Sequence, residues 1–426
     1  MNTKNYLLRV TLSVLILFTT ASFAPAQKTS APRQEKLLNG MKLLVWNEPA
    51  ANKATVKLRI HSGAAFDTLN KEGTMALLAD ALFPNETVKE FFREDLGGSL
   101  SVESNYDYIQ ISATGDSNQI LAILETLATA VTKPQIDQET TAKIRAARLI
   151  RIKELEKNPA YIADQAAAKR LFGAFPYGKS AEGTAESLAK IDFADLLLAK
   201  QRFLTADNAT LAVSGNVKAD YVFKAARQLF GGWIKSDKRV PATFAQPNTP
   251  DATMLFVDSN IDKTGEFRFA IRGAARNDRD FFASQIMTRI LQSRFRTKQP
   301  NAFARQETRL LPGWVTLGYS EEGIMREGDK IALPVGMIKD FVGDLLKPSI
   351  ETAEFERAKN ELQDEYNRQN SIDAWLDVET YKLASIKTEQ QNLQNVSLAD
   401  VQKIAGRWRT EPSVKILVLT KQPTGN

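Results

Sequence analysis

A break near the middle of the chain constrains its fold most. Residues 231–250 bring together Gly231-Gly232, a charged patch from Lys235 to Arg239, and Pro241, Pro247 and Pro250. That composition suits a connector and not the interior of a helix or strand. The linker proper is placed at residues 236–250, between a first domain over 27–235 and a second over 251–426. Both halves repeat one order, strands first and helices later, as a duplicated α+β unit would.

In the first half, a polar leader over 27–35 precedes strand-like runs at 41–46 and 54–60, parted by a turn-rich stretch at 47–52. Apolar residues at helical spacing predict helices over 73–83 and 91–96, with Gly97-Gly98 stopping the second. Alternation over 99–113 predicts a strand pair turning at Asn105-Tyr106-Asp107, and helices follow over 117–131 and 136–172, the latter broken at Pro159. A strand at 209–215 and a helix at 218–230 close the half. The second half reads as strands at 254–257 and 266–271, a helix at 278–295 and strands around 314–319. Helices at 335–346, 351–369 and 397–408 and a last strand at 414–419 complete it.

Composition excludes much chemistry. The 426 residues hold one histidine, His61, and no cysteine, so sites with two imidazoles, thiolate clusters, cysteine nucleophiles and disulfides are all ruled out. The net charge of +6 is spread among interspersed acids and bases, giving no basic block for nucleic acid. At the N-terminus, Lys4 and Arg9 precede an apolar run over 10–18 and a small-residue end at Ala24-Pro25-Ala26. This is the order of a secretory signal over residues 1–26, so the mature chain is expected in the periplasm or outside the cell. No later segment reaches the roughly 18 apolar residues of a membrane span, so none is expected after cleavage.

Five phrases in order carry a resemblance: Leu38-Asn-Gly-Met-Lys-Leu-Leu-Val45, Gly73-Thr-Met-Ala-Leu-Leu-Ala-Asp-Ala-Leu-Phe83, Pro176-Tyr-Gly178, Gly183-Thr-Ala-Glu-Ser-Leu188, and Asp207-Asn-Ala-Thr-Leu211 running on to Gly215. The chain resembles the insulinase/pitrilysin family of zinc metallopeptidases, the inverted zincins. The resemblance implies two tandem homologous α+β domains that enclose half of a peptide-binding chamber. Family members place His-x-x-Glu-His on a helix of the first domain, where two histidines grip zinc and the glutamate serves the bound water, and take a third ligand from a later glutamate.

The aligned helix here lacks that set. Ala76 and Asp80 stand at the histidine positions and Ala79 at the base position, while counting back from Pro159 puts Arg151 at the ligand glutamate. No metal and no catalytic residue is therefore expected on this chain, and zinc only in an active partner. Phe175 likewise stands where relatives carry histidine before Pro-Tyr-Gly. An arginine-tyrosine pair that holds substrate backbone in active relatives is read as absent or displaced: seven residues after Arg305 comes Pro312, and Tyr319 ends a strand-like run.

Arg305 and Trp314 remain the candidate substrate-binding residues, Trp314 weighed against an ordinary core tryptophan. His61 reads as strand-end packing, and Asp80 as a hydrogen-bonded or solvated residue of a retained helix. The expected function is the silent subunit of a periplasmic zinc metallopeptidase, paired with a zinc-bearing homologue encoded nearby and acting on peptides. The alternatives are a free-standing peptide- or protein-binding module, and a peptidase working by other chemistry.

Overall fold

Two sheets with one wiring carry the chain. The computed structural model describes residues 31–236, 244–259, 264–322, 326–327, 330–331, 342–347 and 349–420. The expected export segment, Pro241 and most of the helix expected over 335–346 lie outside the described residues. In the first half run β1 (Arg33–Lys36), β2 (Lys42–Asn47), β3 (Lys53–Ile60), β4 (Ser99–Ser104), β5 (Ile109–Asp116) and β6 (Ala209–Gly215). In the second run β7 (Met254–Asp258), β8 (Thr264–Arg272), β9 (Phe303–Gln306), β10 (Trp314–Glu322), a short pair β11 (Arg326–Glu327) and β12 (Lys330–Ile331), and β13 (Ser413–Leu419).

The first sheet is ordered β1-β2-β6-β3-β5-β4 and the second β7-β13-β8-β10-β9. Each half thus slots its last strand, β6 or β13, parallel to β2 or β7 and antiparallel to β3 or β8. The duplication read from element order is therefore a duplication of topology. One strand was missed: the residues read as the end of a polar leader form β1, which takes the edge of the sheet beside β2, with Arg33 paired to Asp220 and Glu35 to Arg227.

The helices of the first half are α1 (Thr74–Asp80), α2 (Thr87–Glu94), α3 (Ile120–Thr132), α4 (Gln138–Leu155), α5 (Pro159–Phe172), α6 (Ala185–Ala189), α7 (Phe193–Phe203) and α8 (Ala219–Phe230). Those described in the second are α9 (Phe281–Arg296), α10 (Thr352–Arg368), α11 (Ser371–Thr380), α12 (Ile386–Gln394) and α13 (Leu398–Thr410). No helix among the described residues is long and apolar enough to cross a membrane.

Strand periodicity decides what covers each sheet. Alternate residues of the central strands, such as Val56, Leu58 and Ile60, or Phe267, Phe269 and Ile271, face the core under their own half's helices. The opposite faces are covered reciprocally. α11 of the second half lays Ile372 and Leu376 on Leu44, Trp46 and Ala212 of the first sheet. α5 of the first half lays Ala163, Ala167 and Leu171 on Ala270, Val414, Ile416 and Val418 of the second.

α5 starts where the proline break was read, because Asn158 accepts hydrogen bonds from the N–H groups of Ala160 and Tyr161, and proline at the first helical position leaves no further donor unpaired. Each exchange is pinned by a buried arginine on the central strand. Arg59 of β3 donates to Asp377 of α11 at 2.7 Å, and Arg268 of β8 donates to Asp164 of α5 at 2.7 Å.

The connector is not a free tether where it is described. Arg170 at the end of α5 bonds the side chains of Asp251 and Thr253, and Arg272 bonds the carbonyls of Leu171 and Pro247.

Candidate functional site

The helix aligned with the metal-binding helix of active relatives is α1. Its residues 74–79 are all buried and Asp80 is half-buried. Asp67 fixes its start, one carboxylate oxygen accepting the Gly73 N–H at 2.7 Å and the other the Met75 N–H at 2.9 Å. Burial pushes the Asp67 carboxyl up to about 7, against the pull of those two backbone donors.

Opposite α1 lies α4, which projects Arg148 between the two helices. The guanidinium is 5% exposed and grips Asp80 with two parallel bonds, Nε to Oδ2 and Nη2 to Oδ1, both 2.7 Å. It also donates to the Ala76 carbonyl at 3.2 Å and to Glu182 through Nη1. Sequence counting singled out Arg151, one turn further along α4. Its side chain is 61% exposed and only reaches Glu182 at 3.3 Å. Arg148 was missed because both arginines share one helix face, and spacing from Pro159 does not tell which turns inward.

The resemblance implies zinc between these two helices, and the residues present do not fit it. Ala76 and Ala79 offer no ligand atom, both oxygens of Asp80 are engaged by Arg148, and a buried guanidinium next to a metal position repels the metal. Among the described residues no group of three or more His, Cys, Asp or Glu gathers as a metal would require. The arrangement holds a fixed cation against two carboxylates.

The second half's candidates are placed differently from one another. Arg305 on β9 is held by Asp164 at 2.7 Å and Glu307 at 3.1 Å, its guanidinium 5.0 Å from the Phe303 ring centre, so its charge is spent on α5 across the seam. The groove reading of Trp314 is corrected. The ring is 7% exposed and sits among Tyr106, Phe172 and Tyr177, where the halves meet, so the core reading holds. Phe175 joins the same cluster, stacked on Phe172 at 5.7 Å. Arg305 and Tyr319 form no pair. Thr316 stands opposite Arg305 in the strand register, three positions from Tyr319, so the two side chains lie on opposite faces, with Tyr319 against Phe267 and Phe295.

His61 directly follows the last residue of β3, Ile60. Its ring nitrogens lie 2.9 Å from the Thr210 hydroxyl and 3.0 Å from that of Thr380, a link across the seam. Burial, then the nearby cations Lys382, Arg59 and Lys42, hold its imidazole well below the usual histidine range, so it stays neutral.

The two sheets also differ at one edge. The Ala304 N–H of β9 is bonded by the Gln292 side chain, and the Ala302 carbonyl just before it accepts from Arg296 at 3.2 Å, so α9 closes that edge. β4, at the equivalent edge of the first sheet, packs beside α1 and has no further strand along it among the described residues.

Comparison with known proteins accords with this architecture. Residues 42–185 match the model for insulinase (peptidase family M16) and residues 190–309 that for the peptidase M16 inactive domain, together more than half of the chain. The chain is 24% identical over 211 residues to an uncharacterized zinc protease of Rickettsia bellii, covering 48% of this chain and 50% of that protein. It is 24% identical over 277 residues to a probable mitochondrial-processing peptidase subunit beta of Arabidopsis thaliana, covering 62% and 51%. The chain thus spans about half the length of the curated relatives it matches.

Among solved structures, a peptidase M16 inactive domain from Pseudomonas fluorescens superposes with a TM-score of 0.78 at 19% identity, over 93% of this chain and 99% of that one. A protease from Helicobacter pylori gives 0.80 at 15% identity, over 92% and 100%. Both show the same fold. Two family matches in chain order, over a topology repeated in two sheets, lead to one conclusion: the chain belongs to the insulinase family, peptidase family M16.

Proposed function

We propose that this chain is a non-catalytic M16 subunit that works outside the cytoplasm, forming half of a peptide-binding chamber whose zinc is supplied by a homologous partner encoded nearby. The observation that carries the reading is Arg148: a guanidinium bonded to both oxygens of Asp80 bridges the helices between which active relatives hold zinc. The fold around it is kept, and a kept fold without chemistry acts through its surface.

The open β4 edge beside α1 supports a peptide role, since an extended peptide can add to a free strand edge through main-chain bonds. Relatives described as a mitochondrial-processing peptidase subunit beta, and the match to a chain of complex III2 from Candida albicans (TM-score 0.72, 15% identity), support assembly with other chains. The basic, apolar and small-residue order of residues 1–26 supports export.

Purified from the periplasm, the mature chain is expected to begin near Gln27 by mass spectrometry, to hold no stoichiometric zinc by elemental analysis, and to hydrolyse no peptide alone. One tightly held zinc per chain, or turnover without a partner, would overturn the reading.

A further inference from the structure

Three segments of the first half meet at one exposed corner: the β1–β2 turn, the stretch after α8, and the loop between α7 and β6. The Asn39 side chain of the turn donates to the carbonyls of Phe230 at 2.7 Å and Trp233 at 3.2 Å, so the turn is bound to the end of α8. Trp233 donates its indole N–H to the Leu204 carbonyl at 2.9 Å, and the Ala206 N–H bonds the Ile234 carbonyl at 2.9 Å. Gly40 closes the corner, its left-handed backbone (φ 92°) lying so near Asp207 that a Cβ there would stand 2.8 Å from the Cβ of Asp207.

On this fixed backbone the corner holds large apolar side chains out in water. Leu38, at the tip of the turn, is fully exposed, and Ile234 is largely exposed. Leu198 of α7 is largely exposed too, and Arg202 follows it four residues later on the same side of the helix. Leu38 buries no surface of its own, so it adds nothing to the hydrophobic stability of the fold. Around these tips, Lys36, Arg202 and Lys235 are exposed and form no ion pair among the described residues. The carboxylates of the corner are engaged elsewhere: Glu35 by Arg227, Glu379 by Lys42 at 2.6 Å, and Asp207 by the Ser236 N–H at 3.0 Å.

We infer that this corner docks on an anionic lipid bilayer, with Leu38 and Ile234 entering the interface and Lys36, Arg202 and Lys235 resting on the headgroup phosphates. Apolar side chains gain by leaving water for the acyl boundary, and cations gain from the negative surface potential of such a membrane. The long stems of lysine and arginine let the charged heads stay at headgroup level while the tips beside them sink. A bilayer accepts protruding side chains without a matching pocket. A protein partner suits the corner less well, because lysine is depleted from protein interfaces. The backbone is already fixed, so docking orders no segment. The inference does not rest on the subunit reading.

The chain has no cysteine, so Leu38→Cys in the mature full chain takes a single environment-sensitive dye. Its emission is expected to shift to the blue on phosphatidylglycerol vesicles, not on phosphatidylcholine vesicles, and to return as salt is raised. The same dye at Ile150→Cys, an exposed apolar position on α4, should not shift. In co-sedimentation with phosphatidylglycerol vesicles, Leu38→Ser is expected to weaken binding at least about tenfold, and Lys36→Gln and Lys235→Gln about fivefold each. All of these side chains are exposed, so unchanged melting separates lost docking from lost fold.

No shift at position 38, an equal shift at positions 38 and 150, or equal sedimentation of wild type and Leu38→Ser overturns the inference. If the wild type ignores the vesicles and Leu38→Ser instead loses co-elution with a zinc-bearing M16 homologue, the inference is overturned and the corner belongs to a protein contact.

Discussion

Replacing Arg148 with methionine is expected to destabilise the folded chain by about 3 kcal/mol in urea denaturation, because the substitution keeps the bulk of the side chain, strands Asp80 without its cation and leaves Glu182 only the exposed Arg151. The figure is placed at the low end for a broken buried pair, since the two carboxylates are 35% and 22% exposed and water reaches them. Arg151→Met, at a side chain 61% exposed, should cost less than about 0.5 kcal/mol. Adding Asp80→Ala to Arg148→Met should recover part of the loss, as one stranded carboxylate is gone, giving a coupling energy of about 1 kcal/mol or more. Equal effects at positions 148 and 151 would contradict the geometry described for α1 and α4. It also follows that restoring Ala76→His, Ala79→Glu, Asp80→His and Arg151→Glu would leave Arg148 in the metal's place, so any rebuilt site has to remove Arg148 as well.

The second large effect concerns the seam. Because α5 and α11 each cover the other half's sheet, neither half has a complete core alone, and the full chain is expected to melt in one calorimetric transition. Trp314→Ala removes the largest ring of the aromatic cluster at the seam and should cost about 3–5 kcal/mol. That loss should move the whole transition down together. Two separate transitions, with the mutation shifting only one, would show that the exchanged helices do not couple the halves.

Much of this architecture was legible in the sequence. Val56, Leu58 and Ile60 alternate plainly, Pro159 marks a helix start, and the repeated element order gives the duplicated topology. The reciprocal exchange was not legible. α5 shows a stripe of alanines that reads as any helix face, and nothing local says that Ala163 and Ala167 rest on the distant β13.

α11 went unread altogether because Ser371-Ile-Asp-Ala-Trp-Leu-Asp-Val-Glu-Thr380 mixes acids into a narrow apolar stripe. Those acids make sense only against Lys57 and Arg59 of the other half, where Asp373 and Asp377 pair with them. The same limit hid Arg148, since which arginine of a basic helix turns inward depends on a partner 68 residues away in the chain. The degenerate positions Ala76, Ala79 and Asp80 could be named from one phrase because they lie within five residues of one helix.

The central claim, that this chain acts by lending walls to a zinc-bearing homologue, is tested most directly by reconstitution. Co-expressed with a zinc-bearing M16 homologue from the same genome, the chain is expected to co-elute with it on sizing. The pair should cleave an extended peptide with a kcat/KM at least about a hundredfold above that of the homologue alone, the scale on which positioning of substrate acts, while the zinc content of the homologue stays the same with or without this chain. Separate elution, together with equal cleavage by the homologue alone, would contradict the claim and leave a free-standing binding module in its place.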